Sequence, residues 1–277
     1  MNNKKDVFVL TGSGSIGIAI ARRMGIGKHI VLADLNIKNA ERESQILYNA
    51  GFQTSVYETD ISSRESILKL IDFAKSFGKI KYFVNAAGVS PSQASIKDIL
   101  KVDLYGTSVL LEEFGKVIEE GGSGITISSQ SGYRLGSLTD EENKILATTP
   151  TEKLLSLPIL DKATDTLKAY QLSKRCNCLR VMYESGNWGK RGARLNSISP
   201  GIIITPLAND ELNGPRGESY RKMLELCPSK RAGTPDDVAN VAELLMSDRG
   251  SFISGSDFLM DGGVTASWWY GELSNNK

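Results

Sequence analysis

Short apolar runs alternate along nearly the whole chain with longer stretches whose apolar residues recur every three or four positions. The short runs, 7–10, 29–33, 53–59, 81–85, 125–128, 194–198 and 258–260, predict strands. The longer stretches, 18–24, about 37–50, 64–77, 96–120, the segment around Tyr170, and 235–246, predict helices. Strand followed by helix, repeated in this way, predicts an α/β fold: a doubly wound parallel sheet with helices on both faces, three layers in all. Right-handed crossovers then bring the C-terminal strand ends, and any ligand, to one edge. No internal repeat, low-complexity segment or linker divides the 277 residues, so a single domain is expected.

Two regions interrupt the alternation. Between the strand ending at Ser128 and Tyr170 the connection is long for a compact unit. Within it, Thr139-Asp140-Glu141-Glu142 and Thr149-Pro150-Thr151-Glu152 both read as helix-starting capping boxes, the second with Pro150 at the first helical position. A helical insertion at about 133–165 follows. Ile145, Leu146, Leu154, Leu155, Leu157, Ile159 and Leu160 give it an apolar side, which either packs on the body or walls a substrate cleft. The second region runs to Arg231, carries Gly214-Pro215 and Gly217, and has the mixed charge of a mobile flap.

Composition removes several function classes. Lys and Arg number 33 against 32 Asp and Glu, so no global field draws in nucleic acid or an anionic membrane. No apolar stretch approaches the ~18 residues of a membrane span, and the first residues lack a signal-peptide profile. Cys176, Cys178 and Cys227 are too few for a disulfide framework and lack zinc spacing. They suit a reducing, cytoplasmic setting. With His29 as the single histidine, a His-based triad or multi-His metal site is unavailable, and no metal is expected.

Candidate chemistry is concentrated at predicted strand ends. Gly12, Gly14 and Gly17 follow the first strand and open the first helix with the spacing of a phosphate-binding turn, where the backbone must approach a pyrophosphate. Asp34, at the end of the second strand, stands where a carboxylate accepts from ribose hydroxyls and repels a 2′-phosphate. No arginine is adjacent to it, so NAD is favoured, with NADP possible. Tyr170 and Lys174, four apart in a helical pattern, share a helix face. A cation beside a phenol favours phenolate, which makes the pair a candidate general acid/base, although such pairs also occur on solvated faces.

Taken in order, these features resemble the single-domain short-chain dehydrogenase/reductase family along nearly the whole chain, a Rossmann-like fold. The resemblance rests on the glycine turn, Asp60, Asn85-Ala86-Ala87-Gly88, Ile127-Ser128-Ser129, Tyr170-x-x-x-Lys174, Pro200-Gly201 with Thr205, and Asp261-Gly262-Gly263. It implies that Tyr170 is the catalytic acid/base, that Ser129 hydrogen-bonds the reacting oxygen, and that Lys174 holds the nicotinamide ribose. It also implies that Gly12, Gly14, Ser15, Ile16 and Gly17 hold the pyrophosphate and that Asp60 and Ile61 meet the adenine. Asn85 would lie along the cofactor, with Ile203 and Thr205 at the carboxamide. Two departures stand out: the glycine turn is one residue shorter than usual, and Asp103 occupies the place of a customary asparagine. The insertion is similar to that of bacterial 3α-hydroxysteroid dehydrogenase/carbonyl reductases. The expectation is therefore an NAD-dependent oxidoreductase acting on a secondary alcohol or ketone, as a homo-oligomer with a small-molecule substrate. A bulky apolar substrate such as a hydroxysteroid or bile acid, in lipid or steroid metabolism, is favoured by the insertion and by Trp268-Trp269-Tyr270, all expected at the substrate mouth. A polyol or 3-oxoacyl substrate, or a nucleotide-sensing regulator, is the alternative.

Overall fold

In the computed structural model, which describes residues 5–276, seven strands form one parallel sheet in the order β3-β2-β1-β4-β5-β6-β7. The elements on one side of the switch are β1 (Lys5–Thr11), α1 (Ser15–Met24), β2 (His29–Asp34), α2 (Ile37–Asn49), β3 (Gln53–Glu58) and α3 (Arg64–Phe77). The chain then crosses over to β4 (Gly78–Asn85), beside β1. Because the order reverses between β1 and β4, their C-terminal ends diverge and leave a crevice there.

Side-chain alternation within β1 shows how the layers form. Val7 and Val9 point into a core with Ile67, Leu70 and Ala74 of α3, whereas Phe8 and Leu10 point into the opposite core with Ile20 and Ala21 of α1. Every one of these side chains is fully buried. A strand covered on both faces has no solvent side, which is why it reads as a continuous apolar run.

After β4 the expected long helix is three pieces. A short α4 (Ile96–Ile99) passes into a π-helical stretch, Leu100–Gly106, and then α5 (Thr107–Val117). The π stretch carries Asp103 into full burial, a placement in keeping with the concentration of π-bulges at functional sites. Next come β5 (Ser123–Ile127) and a 3₁₀ turn, Gln130–Arg134.

The insertion contains α6 (Asp140–Thr148), begun by the expected Thr139–Glu142 capping box, and two 3₁₀ turns. The second expected box does not form: Pro150 caps Thr151–Ser156 without a side-chain bond. Tertiary partners have taken its groups. Thr151 Oγ1 accepts from Arg180 Nη2 at 2.7 Å, and Glu152 accepts from Arg64 Nε at 2.7 Å and from Tyr105 Oη at 3.0 Å. Leu146 and Leu154 are buried against Leu104 and against Leu172, Cys176 and Leu179 of α7 (Thr166–Gly189). The greasy side of the insertion thus packs on the body.

The remainder is β6 (Arg194–Pro200), α8 (Pro206–Asn213), α9 (Gly217–Leu226), α10 (Pro235–Met246), β7 (Asp257–Met260) and α11 (Val264–Tyr270). The expected flap is therefore two regular helices. Met223 of α9 joins a small core with Ile202, Cys227 and Val264, against which Trp268 packs. His29 stacks on Phe77 at 4.1 Å and meets Ser55 Oγ at 3.0 Å, a packing role. All three cysteines are free and buried. Among the described residues no helix is long and apolar enough to cross a membrane, and no cluster of metal-ligating side chains occurs.

Candidate active site

A cleft of about 1210 Å³ runs along the C-terminal edge of the sheet, from the glycine turn to Tyr170 and Lys174 and on to α8 and α9. That exceeds the roughly 300–1,000 Å³ of a pocket for one drug-sized ligand.

At one end, Gly12 has φ +83°, and a Cβ there would lie 2.4 Å from Ala87 N. Only glycine lets the turn press against the end of β4 in this way. A Cβ on Gly17 would sit 2.6 Å from Gly12 O, which locks α1 against the turn. Gly14 differs, because a Cβ there would meet nothing within 4 Å. It is the N-cap of α1 and provides no side-chain cap, so Ser15 and Ile16 begin the helix with first-turn N–H groups open to the cleft. Uncapped donors facing open space at a helix N-terminus suit a pyrophosphate.

Asp34 lies beneath this turn, outside the cleft wall. Its Oδ2 accepts from Ser13 N at 2.8 Å and Asn39 Nδ2 at 3.2 Å, and its Oδ1 from Asn36 N at 2.9 Å. The carboxylate stitches the turn to the end of β2, and Oδ1 keeps accepting capacity. Asp60 and Ile61, past β3, also lie off the wall: Asp60 Oδ1 caps Ser62 N at 2.8 Å, and Ile61 is buried.

The Asn85 side chain turns inward at the end of β4. Its Oδ1 accepts from Thr11 Oγ1 and Ala87 N, and its Nδ2 donates to Thr107 Oγ1 and Thr126 Oγ1. A fully buried amide with all of these partners is an internal clamp on the ends of β1, β4 and β5. Ala86, Ala87 and Gly88 line the cleft here, as do Ile203 and Thr205 further along it. Thr205 Oγ1 caps α8 by accepting from Ala208 N at 3.1 Å.

At the other end the expected trio converges. Ser129 is the N-cap of the 3₁₀ turn after β5, where its Oγ accepts from Ser131 N at 3.1 Å, and its hydroxyl lies near enough to the Tyr170 phenol to lower the phenol pKa. Lys174, one turn along α7, holds Nζ 5.3 Å above the Tyr170 ring and 3.4 Å from Ile127 O. Its side chain is only 5% exposed and lies 3.9 Å from Asp103 Oδ1. Burial raises the phenol pKa, Lys174 and Ser129 oppose that rise, and Asp103 reinforces it. The net direction is upward, because burial outweighs the Lys174 charge, which Asp103 partly offsets. Burial by itself would depress the Lys174 ammonium, but Asp103 and Tyr170 hold it above its ordinary value.

Asp103 is the buried hub. Burial lifts its carboxyl to about 6 against the pull of Lys174 and of the Val89 N–H, which donates to Oδ1 at 3.1 Å. Oδ2 has no partner. A Cβ on Gly88 would lie 2.7 Å from Oδ1, so that glycine makes room for the pair. The sign for stability follows from linkage. The folded state binds this proton more tightly than the unfolded chain, so the group makes stability fall as pH rises from the ordinary carboxylate range through about 6. Asp103→Asn should remove that slope, gaining on wild type by on the order of 1–3 kcal/mol across the window, over any constant offset from unpairing Lys174. Urea midpoints measured across the window check this, and parallel pH profiles would contradict it.

No insertion residue from 139 to 162 lines the cleft, and neither do Trp268 and Trp269. Arg134, Glu211 and Tyr220 do line it, and sequence reasoning missed them. Arg134 had a signal, being the one cation in the five residues after Ser129. Glu211 and Tyr220 arrive through tertiary folding of α8 and α9, with no spacing to betray them.

A family model described as enoyl-(acyl carrier protein) reductase matches residues 11–140 and 155–265, and the unmatched 141–154 fall inside the insertion. The chain is 38% identical to the short-chain dehydrogenase/reductase bsc3 of Alternaria brassicicola, over 95% of this chain and 96% of the relative. It is 30% identical to the D-threitol dehydrogenase of Mycolicibacterium smegmatis, over 94% of this chain and 92% of the relative. The solved 3α-hydroxysteroid dehydrogenase of Pseudomonas sp. B-0831, complexed with NADH, superposes with a TM-score of 0.77 at 23% identity, covering 96% and 100% of the two chains. At that identity the likeness speaks for the fold.

Proposed function

The chain belongs to the short-chain dehydrogenase/reductase family of oxidoreductases, and from that premise we propose that it interconverts a secondary alcohol and a ketone with Tyr170 as the acid/base. The observation that carries this reading is the convergence of Ser129, Tyr170 and Lys174 at one end of a continuous cleft whose other end is the open Gly14 cradle. A nicotinamide dinucleotide, when bound, supplies or accepts the hydride. In reduction the phenol gives its proton to the carbonyl oxygen, and in oxidation it takes the hydroxyl proton. Ser129 donates to the same oxygen and holds it in place. Lys174 offsets the burial that keeps the phenol protonated.

NAD is the preferred form, on the carboxylate of Asp34 with its spare capacity at Oδ1. Asp34→Ala should weaken NAD binding roughly tenfold and narrow the gap to NADP, since hydrogen bonds to a charged group are each worth about 1.5–3 kcal/mol. Titration of both dinucleotides against both proteins checks it. A wild type that already prefers NADP contradicts the reading.

For the substrate, Ile202, Pro206, Leu207 and Ala208 give the cleft an apolar wall, which supports a bulky body such as a hydroxysteroid or bile acid. Residues 139–162 of the insertion, and Trp268 and Trp269, do not line the cleft and lend this no weight. Glu211 and Gln130 on the same cleft favour a second reading, a polyol. An NAD(P)H-linked screen of oxosteroids, bile acids, polyols and 3-oxoacyl compounds separates these, and turnover of none of them would refute the oxidoreductase assignment to this site. Free buried cysteines support a reducing, cytoplasmic setting. Exposed Phe252, Met182 and Tyr183 support a homo-oligomer.

A further inference from the structure

Arg134, on the cleft wall, is a cation largely withdrawn from water and without an anion. Arg134 closes the 3₁₀ turn that begins next to Ser129, so its position is tied to the catalytic strand end. Its Nη1 faces the neutral Met223 Sδ at 2.9 Å, and its Nη2 donates to Ser131 Oγ at 3.0 Å. Its Cζ lies 5.3 Å from the Trp268 ring centroid. Its Nε is buried without any partner. Among the described residues, no carboxylate comes within ion-pairing distance of this guanidinium. Asp261, the acidic group that acts on it, is engaged with the backbone N–H groups of Gly263 at 2.9 Å and Thr265 at 2.6 Å.

Such an arrangement is costly. A guanidinium withdrawn from water needs a partner anion, and burial already depresses the Arg134 pKa. Two other withdrawn cations have found theirs, since Lys174 has Asp103 and Arg64 has Glu112, Glu113 and Glu152, while buried Arg180 is held instead by three oxygen acceptors, Ala147 O, Thr149 O and Thr151 Oγ1. The planar fork of arginine matches a carboxylate in two parallel hydrogen bonds, which neither methionine sulfur nor an indole face can supply. The cleft is also polarised. Glu211, likewise on its wall, takes donors from the backbone N–H and hydroxyl of Ser92 at 3.3 and 2.8 Å and would repel a negative group on its own side. That leaves the Arg134 side for an anion.

We propose that Arg134 recognises an anionic group on the substrate, a carboxylate being the form that fits its fork, so that the enzyme acts on oxo- and hydroxycarboxylates. The inference rests on the alcohol–ketone reading of the same site and narrows it. The acid is held by the guanidinium while the reacting carbon lies against Tyr170 and Ser129. Trp268 and Met223 back the guanidinium and keep it directed into the cleft.

The test compares matched acids and esters: dehydrocholate with methyl dehydrocholate, and levulinate with methyl levulinate, as ketone substrates with saturating dinucleotide. In wild type the acid should exceed its ester in kcat/KM by roughly thirtyfold or more, the loss expected when a buried charge pair is broken. Arg134→Gln should bring that ratio within about threefold of one through loss on the acid, chiefly in KM. Arg134→Lys, a cation without the fork, should fall between. Dinucleotide affinity, measured on each variant, shows that it is folded. Esters used as well as their acids by wild type, or a ratio that survives Arg134→Gln in a folded protein, would overturn the proposal. Failure of the whole substrate screen would strike the oxidoreductase reading and this proposal with it, a result distinct from ester preference.

Discussion

Tyr170→Phe is expected to lower kcat by roughly 10²–10⁴-fold, the usual worth of a positioned acid/base, with dinucleotide affinity unchanged within a few-fold. The asymmetry follows from what the substitution removes. The ring, its packing on α7 and the Lys174 charge above it all remain, and only the phenolic O–H is lost. No other acid stands ready to replace it. Asp103 is the one raised carboxyl nearby, but it is fully buried and paired to Lys174. Single-turnover rates beside dinucleotide titrations make the comparison. Retention of more than a tenth of wild-type turnover would remove Tyr170 from the chemistry.

Lys174→Met should damage both activity and stability. Methionine fills similar volume without charge, so the Asp103 carboxylate is left buried with only the Val89 N–H for a partner. Breaking a buried pair in this way costs about 3–5 kcal/mol. The cost depends on pH in a predictable sense. Without Lys174 the carboxyl is pushed further up, so above about 6 the variant still holds a proton that wild type has lost, and the deficit against wild type should shrink as pH falls toward about 6 and level off below it. Activity should drop by about 10²-fold or more at neutral pH, because nothing then offsets the burial that holds the phenol protonated. Denaturant unfolding across pH checks the first effect. A deficit independent of pH would mean that Asp103 and Lys174 are not energetically coupled.

The sequence exposed the sheet because burial on both faces leaves a contiguous apolar signature in β1, β2 and β4, and short turns separate these from amphipathic helices. It exposed the glycine turn and the Tyr170–Lys174 pair because local backbone and one helix face determine both. What it hid depends on distant partners. The π-helical stretch around Asp103 keeps apolar residues at three- and four-residue intervals and so reads as ordinary helix. Thr149–Glu152 has a sound capping pattern, yet Arg180, Arg64 and Tyr105 claim its side chains. Asn85 stands at the expected strand end, but spacing does not say that Thr11, Thr107 and Thr126 turn its amide inward. The insertion's leucines advertised an apolar face without saying what it meets, which is α7 and the π stretch. Glu211 and Tyr220 belong to the cleft only because α8 and α9 fold back over it.

The central claim, hydride exchange between a nicotinamide dinucleotide and an alcohol or ketone at Tyr170, is tested most directly by isotope transfer. The enzyme is supplied with reduced dinucleotide carrying deuterium at both positions of the reactive nicotinamide carbon and with any ketone from the screen that it consumes, and the alcohol product is analysed by mass and NMR. The account predicts one deuterium per product molecule, on the carbinol carbon, with transfer abolished in step with turnover in Tyr170→Phe. Alcohol product without deuterium at that carbon, or undiminished transfer in Tyr170→Phe, would contradict it.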